Sequence, residues 1–297
     1  MKKVLKIVAF IFGGIVILAL GGVLYLNTTF PKVSPAPKIT ISATPEMIER
    51  GKYLANHVVG CMDCHSTRDW TKFAGPMISG TEGKGGEEFQ NIVIEFPGEL
   101  TARNITPFNL KNWTDGEIYR AITAGVTKDG RALFPLMPYP NFAHMDPEDI
   151  KAVIAYLRTL AEIETPNYPY ADLNFPLNLI VKTIPQDVAT PGSRPDPTDT
   201  VKYGEYLVTI AGCADCHTPR EKGDPIPGMS FAGGMEFKTT TSNDIIRSAN
   251  ITQDHETGIG LWTEDVFLGK FKTYRDSSWH NKPVKPGEVN TVMPWLF

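Results

Sequence analysis

The stretch Cys61-Met62-Asp63-Cys64-His65 returns as Cys213-Ala214-Asp215-Cys216-His217, and the two copies use all 4 cysteines of the 297-residue chain. Two thiols three positions apart lie on one side of a helical turn, so both can bond a single flat group. The histidine that follows is then carried toward the centre of that group. C-x-x-C-H is the attachment sequence of c-type haem, with the cysteines as thioethers and the imidazole as proximal iron ligand. Zinc sites are also built from C-x-x-C pairs, as are thioredoxin-type redox centres. Either reading leaves the histidine after both pairs as coincidence, and a redox pair belongs beside a βαβ pattern. The expectation is therefore two covalently bound haem c groups, on Cys61, Cys64, Cys213 and Cys216, with His65 and His217 as iron ligands.

A chain this long accommodates about two domains at roughly 100–200 residues each. Its formal charge of −4 makes nucleic acid an unsuitable partner. With 26 glycines and 24 prolines, loops are expected to be many. A haem supplies its own apolar surface, so small helical domains with long loops can still form a core around it.

The N-terminus carries Lys2, Lys3 and Lys6, followed by twenty uncharged residues from Ile7 to Leu26. That length matches a hydrocarbon core of about 30 Å. A cleaved signal peptide has a shorter apolar region and a small-residue cleavage site, and Asn27-Thr28-Thr29-Phe30 is not one. We read residues 1–30 as an uncleaved anchor with its N-terminus in the cytoplasm, by the positive-inside rule. Lys32 and Lys38 on the far side weaken this orientation without reversing it. The remainder is then expected outside a bacterial cytoplasmic membrane, in the periplasm, after an extended tether over residues 31–43 with three prolines.

The surroundings of the two motifs match in order. Gly51-x-Tyr53-Leu54 answers to Gly204-x-Tyr206-Leu207, and Phe73-Ala74-Gly75-Pro76-Met77 to Phe231-Ala232-Gly233-Gly234-Met235. Asn104-Ile105-Thr106 answers to Asn250-Ile251-Thr252, Trp113-Thr114 to Trp262-Thr263, and Met137-Pro138-Tyr139 to Met293-Pro294-Trp295. We expect duplicated all-α haem domains over 44–164 and 201–297. Between them, 165–200 is a linker with seven prolines whose apolar part, 175–184, should be packed. Helices are expected from the Thr44-Pro45 cap, from the Thr114-Asp115-Gly116-Glu117 capping box to a stop at Gly125, and from Asp146-Pro147. The last shows the buried stripe Ile150, Val153, Ile154, Leu157, Leu160 and Ala161. Val93, Ile94 and Phe96 suit either a short strand or a cover for the haem edge.

A haem iron held by one histidine keeps a free face. A thioether is a soft ligand that raises the reduction potential, and prolines on both sides of Met137 stiffen the chain around it. Met137 and its counterpart Met293 are the distal candidates. The plain alternative is a methionine filling a core gap, and His57, His144, Met145, His255 and His280 compete for the role. The proximal histidine's other nitrogen normally donates to a carbonyl, which the Gly75-Pro76 and Gly233-Gly234 turns are suited to present. Arg103 is placed to pair with a haem propionate or to stand in solvent.

The second copy follows the first through Met293 and stops at Phe297, with no counterpart to the helix after Asp146. A truncated sequence, a short domain and a helix from a partner all remain open, and truncation is the reading adopted.

Through Gly-x-Tyr-Leu, C-x-x-C-H, Asn-Ile-Thr, Trp-Thr and Met-Pro-Tyr/Trp, residues 44–297 resemble the membrane-anchored dihaem cytochromes c of bacteria. They are similar to the cytochrome subunits of quinoprotein alcohol and flavin gluconate dehydrogenases. The resemblance implies two tandem class I cytochrome c-like domains, the second lacking its last helix. It also implies His65/Met137 and His217/Met293 ligation. Those subunits commonly carry three haems, whereas this chain has two attachment motifs. The function implied is single-electron transfer from a dehydrogenase or other respiratory donor to an oxidase or small cytochrome acceptor. The alternative is a dihaem enzyme of peroxidase type with one open iron. A haem-based sensor finds no signalling segment in support.

Overall fold

The computed structural model describes residues 1–89, 98–188, 190–238, 242 and 244–296. Val93, Ile94 and Phe96 lie outside the described residues. Twelve α-helices are present among them. They are α1 Lys2–Thr29, α2 Pro45–His57, α3 Cys61–His65, α4 Pro107–Leu110, α5 Asp115–Ala124, α6 Tyr139–Phe142, α7 Pro147–Leu157, α8 Leu177–Ile180, α9 Thr200–Ile210, α10 Cys213–His217, α11 Glu264–Lys272 and α12 Ser277–His280. The described strands form three two-stranded antiparallel ladders of two or three residues. The fold is therefore carried by helices.

Local chemistry sets the helix ends where the sequence places them. Thr44 accepts from Met47 N–H with Pro45 at the first helical position, and Asp146 accepts from Glu148 N–H ahead of Pro147. Thr114 and Glu117 close a reciprocal capping box, and Gly125 ends the same helix in the left-handed region at φ 70°. Thr263 repeats the Thr114 cap at the start of α11. Helix α1 is long and apolar enough to cross a membrane, with a mean hydropathy of 2.8 over its best window and no buried residue.

In the first half, α2 crosses α7 at closest approach through Gly51. A β-carbon there would stand 1.8 Å from the Ala152 carbonyl oxygen. This contact lets Leu54, Ala55, Ile150, Val153, Ile154 and Leu157 bury almost completely, together with Met62 of α3 and Ile118 and Ile122 of α5. The expected stripe stops short at its end, since Leu160 is half-buried and Ala161 exposed beyond the helix.

The second half lacks this helix–helix seat among the described residues. Gly204 of α9 has nothing within 4 Å of where a β-carbon would be, and α11 buries no residue. Gly51→Ala should cost about 3 kcal/mol, since overpacking here meets backbone. A melting curve of the variant tests this, and an unchanged midpoint would refute it.

The apolar part of the linker is less packed than expected. Val181 is buried, but Phe175 is 75% and Ile180 49% exposed. This segment lies against the end of α1, which the sequence did not anticipate.

The halves are joined through polar groups. Asp149 on α7, with a side chain 1% exposed, receives Arg50 through Nε at 3.0 Å and Nη2 at 2.8 Å, and Arg194 of the linker at 2.6 Å. Tyr206 of α9 donates its hydroxyl to Asp149 at 2.8 Å and accepts from Asp146 N–H at 3.1 Å. Elsewhere the loop after the first C-x-x-C-H docks on the second half. Phe73 stacks on Tyr274 (5.5 Å) and packs on Trp279 (5.0 Å), and buried Asn290 bonds the backbone of Trp70, Lys72 and Ala74.

Candidate functional site

Each C-x-x-C-H segment forms a one-turn helix, α3 or α10. The first turn sits on a cavity of about 1360 Å³ lined by Cys61, Cys64, His65 and Met137, with Phe108, Leu110, Ile118, Ile122, Phe142, Val153 and Leu157 among its walls. Ordinary small-molecule sites span roughly 300–1,000 Å³, so this space admits a macrocycle. Its donor set also suits one. Burial pushes the Cys61 thiol up to about 12 and raises Cys64 further. These thiols are therefore neutral nucleophile precursors in an apolar wall, unlike the activated thiolates of a redox pair.

The His65 ring is fixed by one bond. Its Nδ1 lies 2.6 Å from the Arg103 carbonyl oxygen. A carbonyl only accepts, so Nδ1 carries the proton and Nε2 keeps its lone pair for a metal. Burial lowers the pKa of His65, and the Arg103 hydrogen bond partly opposes this. The ring is thus held neutral. His217 repeats the arrangement, with Nδ1 2.8 Å from the Ala249 carbonyl oxygen.

These contacts correct two sequence readings. The carbonyl that orients each histidine belongs to Arg103 or Ala249, and the Gly75-Pro76 and Gly233-Gly234 turns present none. The structural counterpart of Gly233 is Gly85, whereas Gly75 has a different role. Gly85 N–H donates to His65 O and Gly233 N–H to His217 O, both at 2.7 Å. A β-carbon at either would stand 2.5 Å from the carbonyl carbon of Arg103 or Ala249. The Phe-Ala-Gly likeness misled because both segments share letters, while Phe73 itself packs on the second half.

The Asn-Ile-Thr repeat now has a physical role. Asn104 Oδ1 accepts from Thr106 N–H and Oγ1 at 2.8 and 2.7 Å, and Asn250 Oδ1 from Thr252 at 2.9 and 2.7 Å. These turns hold the preceding carbonyl toward the imidazole. A second repeated device escaped the sequence reading. Asp63 pairs with Arg68 at 2.7 Å and Asp215 with Arg220 at 3.1 Å. Its signature was visible as Asp-Cys-His-x-x-Arg in both copies. Arg68 also donates to Gly75 O and Ala74 O at 2.7 and 2.6 Å, which is what Gly75 does.

On the distal side, Met137 is half-buried in the turn before α6. Tyr139 N–H donates to Met137 O at 2.7 Å, and Trp295 N–H to Met293 O at 2.8 Å, so both Met-Pro-aromatic segments share one local turn. Met293 is half-buried beside Trp295, which packs with Phe271 and Tyr274. Neither Met293 nor His217 lines the large cavity, although Pro294 does.

Of the competitors, His57 and Met145 line the cavity. Met145 is 1% exposed and sits in the apolar core, which is the gap-filling role. His57 is exposed and lies beside Tyr53, with ring centroids 6.1 Å apart. His144 and His255 are exposed and His280 is half-buried.

Arg103 and Arg131 also line the cavity, their guanidinium carbons 4.3 and 4.1 Å from the centroid of Tyr170. Tyr170 donates to Asp129 at 3.0 Å. Nothing in the sequence pattern brings Tyr170 of the linker to this position. In the second half the residue corresponding to Arg103 is Ala249, which offers no cation. The halves meet close to both motifs, where Asn141 of α6 donates to Asp215 at 2.5 Å.

No family model matches the chain. It is similar to an alcohol dehydrogenase (quinone) cytochrome c subunit of Gluconobacter oxydans, at 28% identity over 78% of this chain and 48% of the relative. It is also similar to a gluconate 2-dehydrogenase cytochrome c subunit of Pantoea cypripedii, at 29% identity over 75% of this chain and 50% of the relative. A diheme cytochrome c-type protein of Cereibacter sphaeroides matches at 28% over 54% of each. The chain spans about half the length of the curated dehydrogenase subunits it matches. The resemblance read from the motifs therefore holds: the chain is similar to the cytochrome c subunits of dehydrogenases, which implies covalently bound haem c.

Proposed function

We propose that this chain is a dihaem c-type cytochrome that carries single electrons at the outer face of a bacterial cytoplasmic membrane. Helix α1 is its single span, and residues 44–164 and 201–297 are its two haem domains. Cys61 and Cys64 hold one haem and Cys213 and Cys216 the other, by thioethers. His65 and His217 are the proximal ligands, and Met137 and Met293 the distal ones. When bound, haem supplies a one-electron couple whose potential the protein sets through axial ligand, burial and nearby charge. Arg103 and Arg131 are suited to balance the carboxylates of the first haem. The donor is a dehydrogenase and the acceptor an oxidase-side carrier.

The observation that carries this reading is the shared cavity of Cys61, Cys64, His65 and Met137, with His65 locked by Arg103 O. The test is the ferric absorption spectrum of the haem-loaded protein. Low-spin iron with a sulfur-to-iron charge-transfer band is expected. Met137→Ala should remove about half of that band and lower one potential by some tenths of a volt, within the roughly 0.8 V that axial ligation spans. Met145→Leu should leave both unchanged. A high-spin spectrum in the parent protein would favour an enzyme with an open iron.

A further inference from the structure

We propose that the short segment after the first half, residues 175–183, lies in the headgroup–acyl boundary of the phospholipid bilayer and sets the first cavity directly on the membrane surface. The inference rests on the reading that α1 spans a membrane.

Depth is fixed by α1. At 1.5 Å per residue, the twenty uncharged residues Ile7 to Leu26 extend about 30 Å, the thickness of a hydrocarbon core. Leu26 therefore stands at one edge of that core and Asn27 in the boundary layer. Helix α8 and the 3-10 turn Val181–Thr183 pack against α1, and Lys182 Nζ donates to Asn27 Oδ1. Ser34, a few residues further out, is tied through N–H and Oγ to the Asp187 carboxylate, both at 2.8 Å. The segment is thus held at the level where the span ends.

Its chemistry suits that level. Phe175 is 75% and Ile180 49% exposed, while Val181 is buried against the protein. Two exposed apolar side chains mean little on an ordinary surface. Here they stand beside a span whose own Tyr25 is 60% exposed and packs edge-on against Phe30 at 6.2 Å. Aromatic rings at this depth are the usual anchors of a span. Residues 174–184 contain one lysine and no carboxylate, so nothing in them repels phosphate, and Lys182 can reach outward along its stem.

The consequence concerns the site. The cavity that holds Cys61, Cys64 and His65 is lined also by Val23, Asn27, Phe30 and Leu179. The first C-x-x-C-H site is therefore placed beside the membrane surface.

The experiment uses the full, haem-loaded chain in phosphatidylcholine vesicles. All native cysteines are consumed by haem, so Phe175→Cys carries a single nitroxide label. Power-saturation EPR compares oxygen with a water-soluble nickel chelate as relaxant. We expect oxygen to dominate at position 175 as it does for a Tyr25→Cys label, and the chelate to dominate by several-fold for Glu205→Cys on exposed α9. If label 175 matches label 205 while label 25 is lipid-exposed, this proposal is wrong and the anchor stands. If label 25 is itself in water and the protein does not float with the vesicles, the anchor reading fails and takes the proposal with it.

Discussion

Replacing Cys61 and Cys64 together by alanine is expected to leave one haem per chain and to unfold most of the first half. The cavity of about 1360 Å³ is walled on one side by core side chains of α5, α6 and α7 and is partly open to solvent. Without haem these apolar walls meet water, at a cost of about 25 cal/mol for each Å² left exposed. A domain has only about 5–15 kcal/mol in total, so roughly 200–400 Å² of such surface would remove much of the stability of the first half. The expected results are half the haem absorbance per protein, a clear loss of helical circular dichroism, and rapid proteolysis within 45–160. Two haems per chain in this variant, or an unchanged melting temperature, would contradict the assignment.

Asp149→Asn is expected to be strongly damaging although it lies away from the haem sites. Its carboxylate is enclosed, and burial alone would push its pKa up. Hydrogen bonds from Arg50 and Tyr206, with the charges of Arg50 and Arg194, outweigh burial and hold it below the usual carboxylate value. Breaking a buried ion pair on one side costs about 3–5 kcal/mol, reduced here because Arg194 is partly in water. We expect a loss of about 2–4 kcal/mol, measured by thermal or denaturant unfolding.

Because the folded pKa is depressed, the stabilisation is complete above the unfolded value near 3.9. It disappears as pH falls through the lower folded value. The parent protein should therefore lose stability from about pH 4 downward, and Asp149→Asn should flatten that limb. Since Asp149 also receives Tyr206 from the second half, the variant should loosen the two halves. Small-angle scattering would show this as a larger radius. An acid limb identical in both proteins would rule out the role given to Asp149.

Both predictions divide along the same line. Most of what depends on neighbours within a turn or two was legible along the chain, the Asp63–Arg68 pair excepted. The thiol spacing of Cys61 and Cys64, the caps at Thr44, Thr114 and Asp146, the stop at Gly125 and the Met-Pro-aromatic turns are short-range hydrogen bonds and covalent geometry, so their letters suffice.

Packing alone settled which distant carbonyl holds His65 and that Tyr170 reaches Arg103 and Arg131. It also decided that Tyr206 turns to Asp149 while its counterpart Tyr53 stays exposed, and that the linker's apolar residues face outward beside α1. Each of these joins groups tens to more than a hundred residues apart. Such contacts are chosen by how whole helices pack, and a pattern of types along the chain carries no record of that choice.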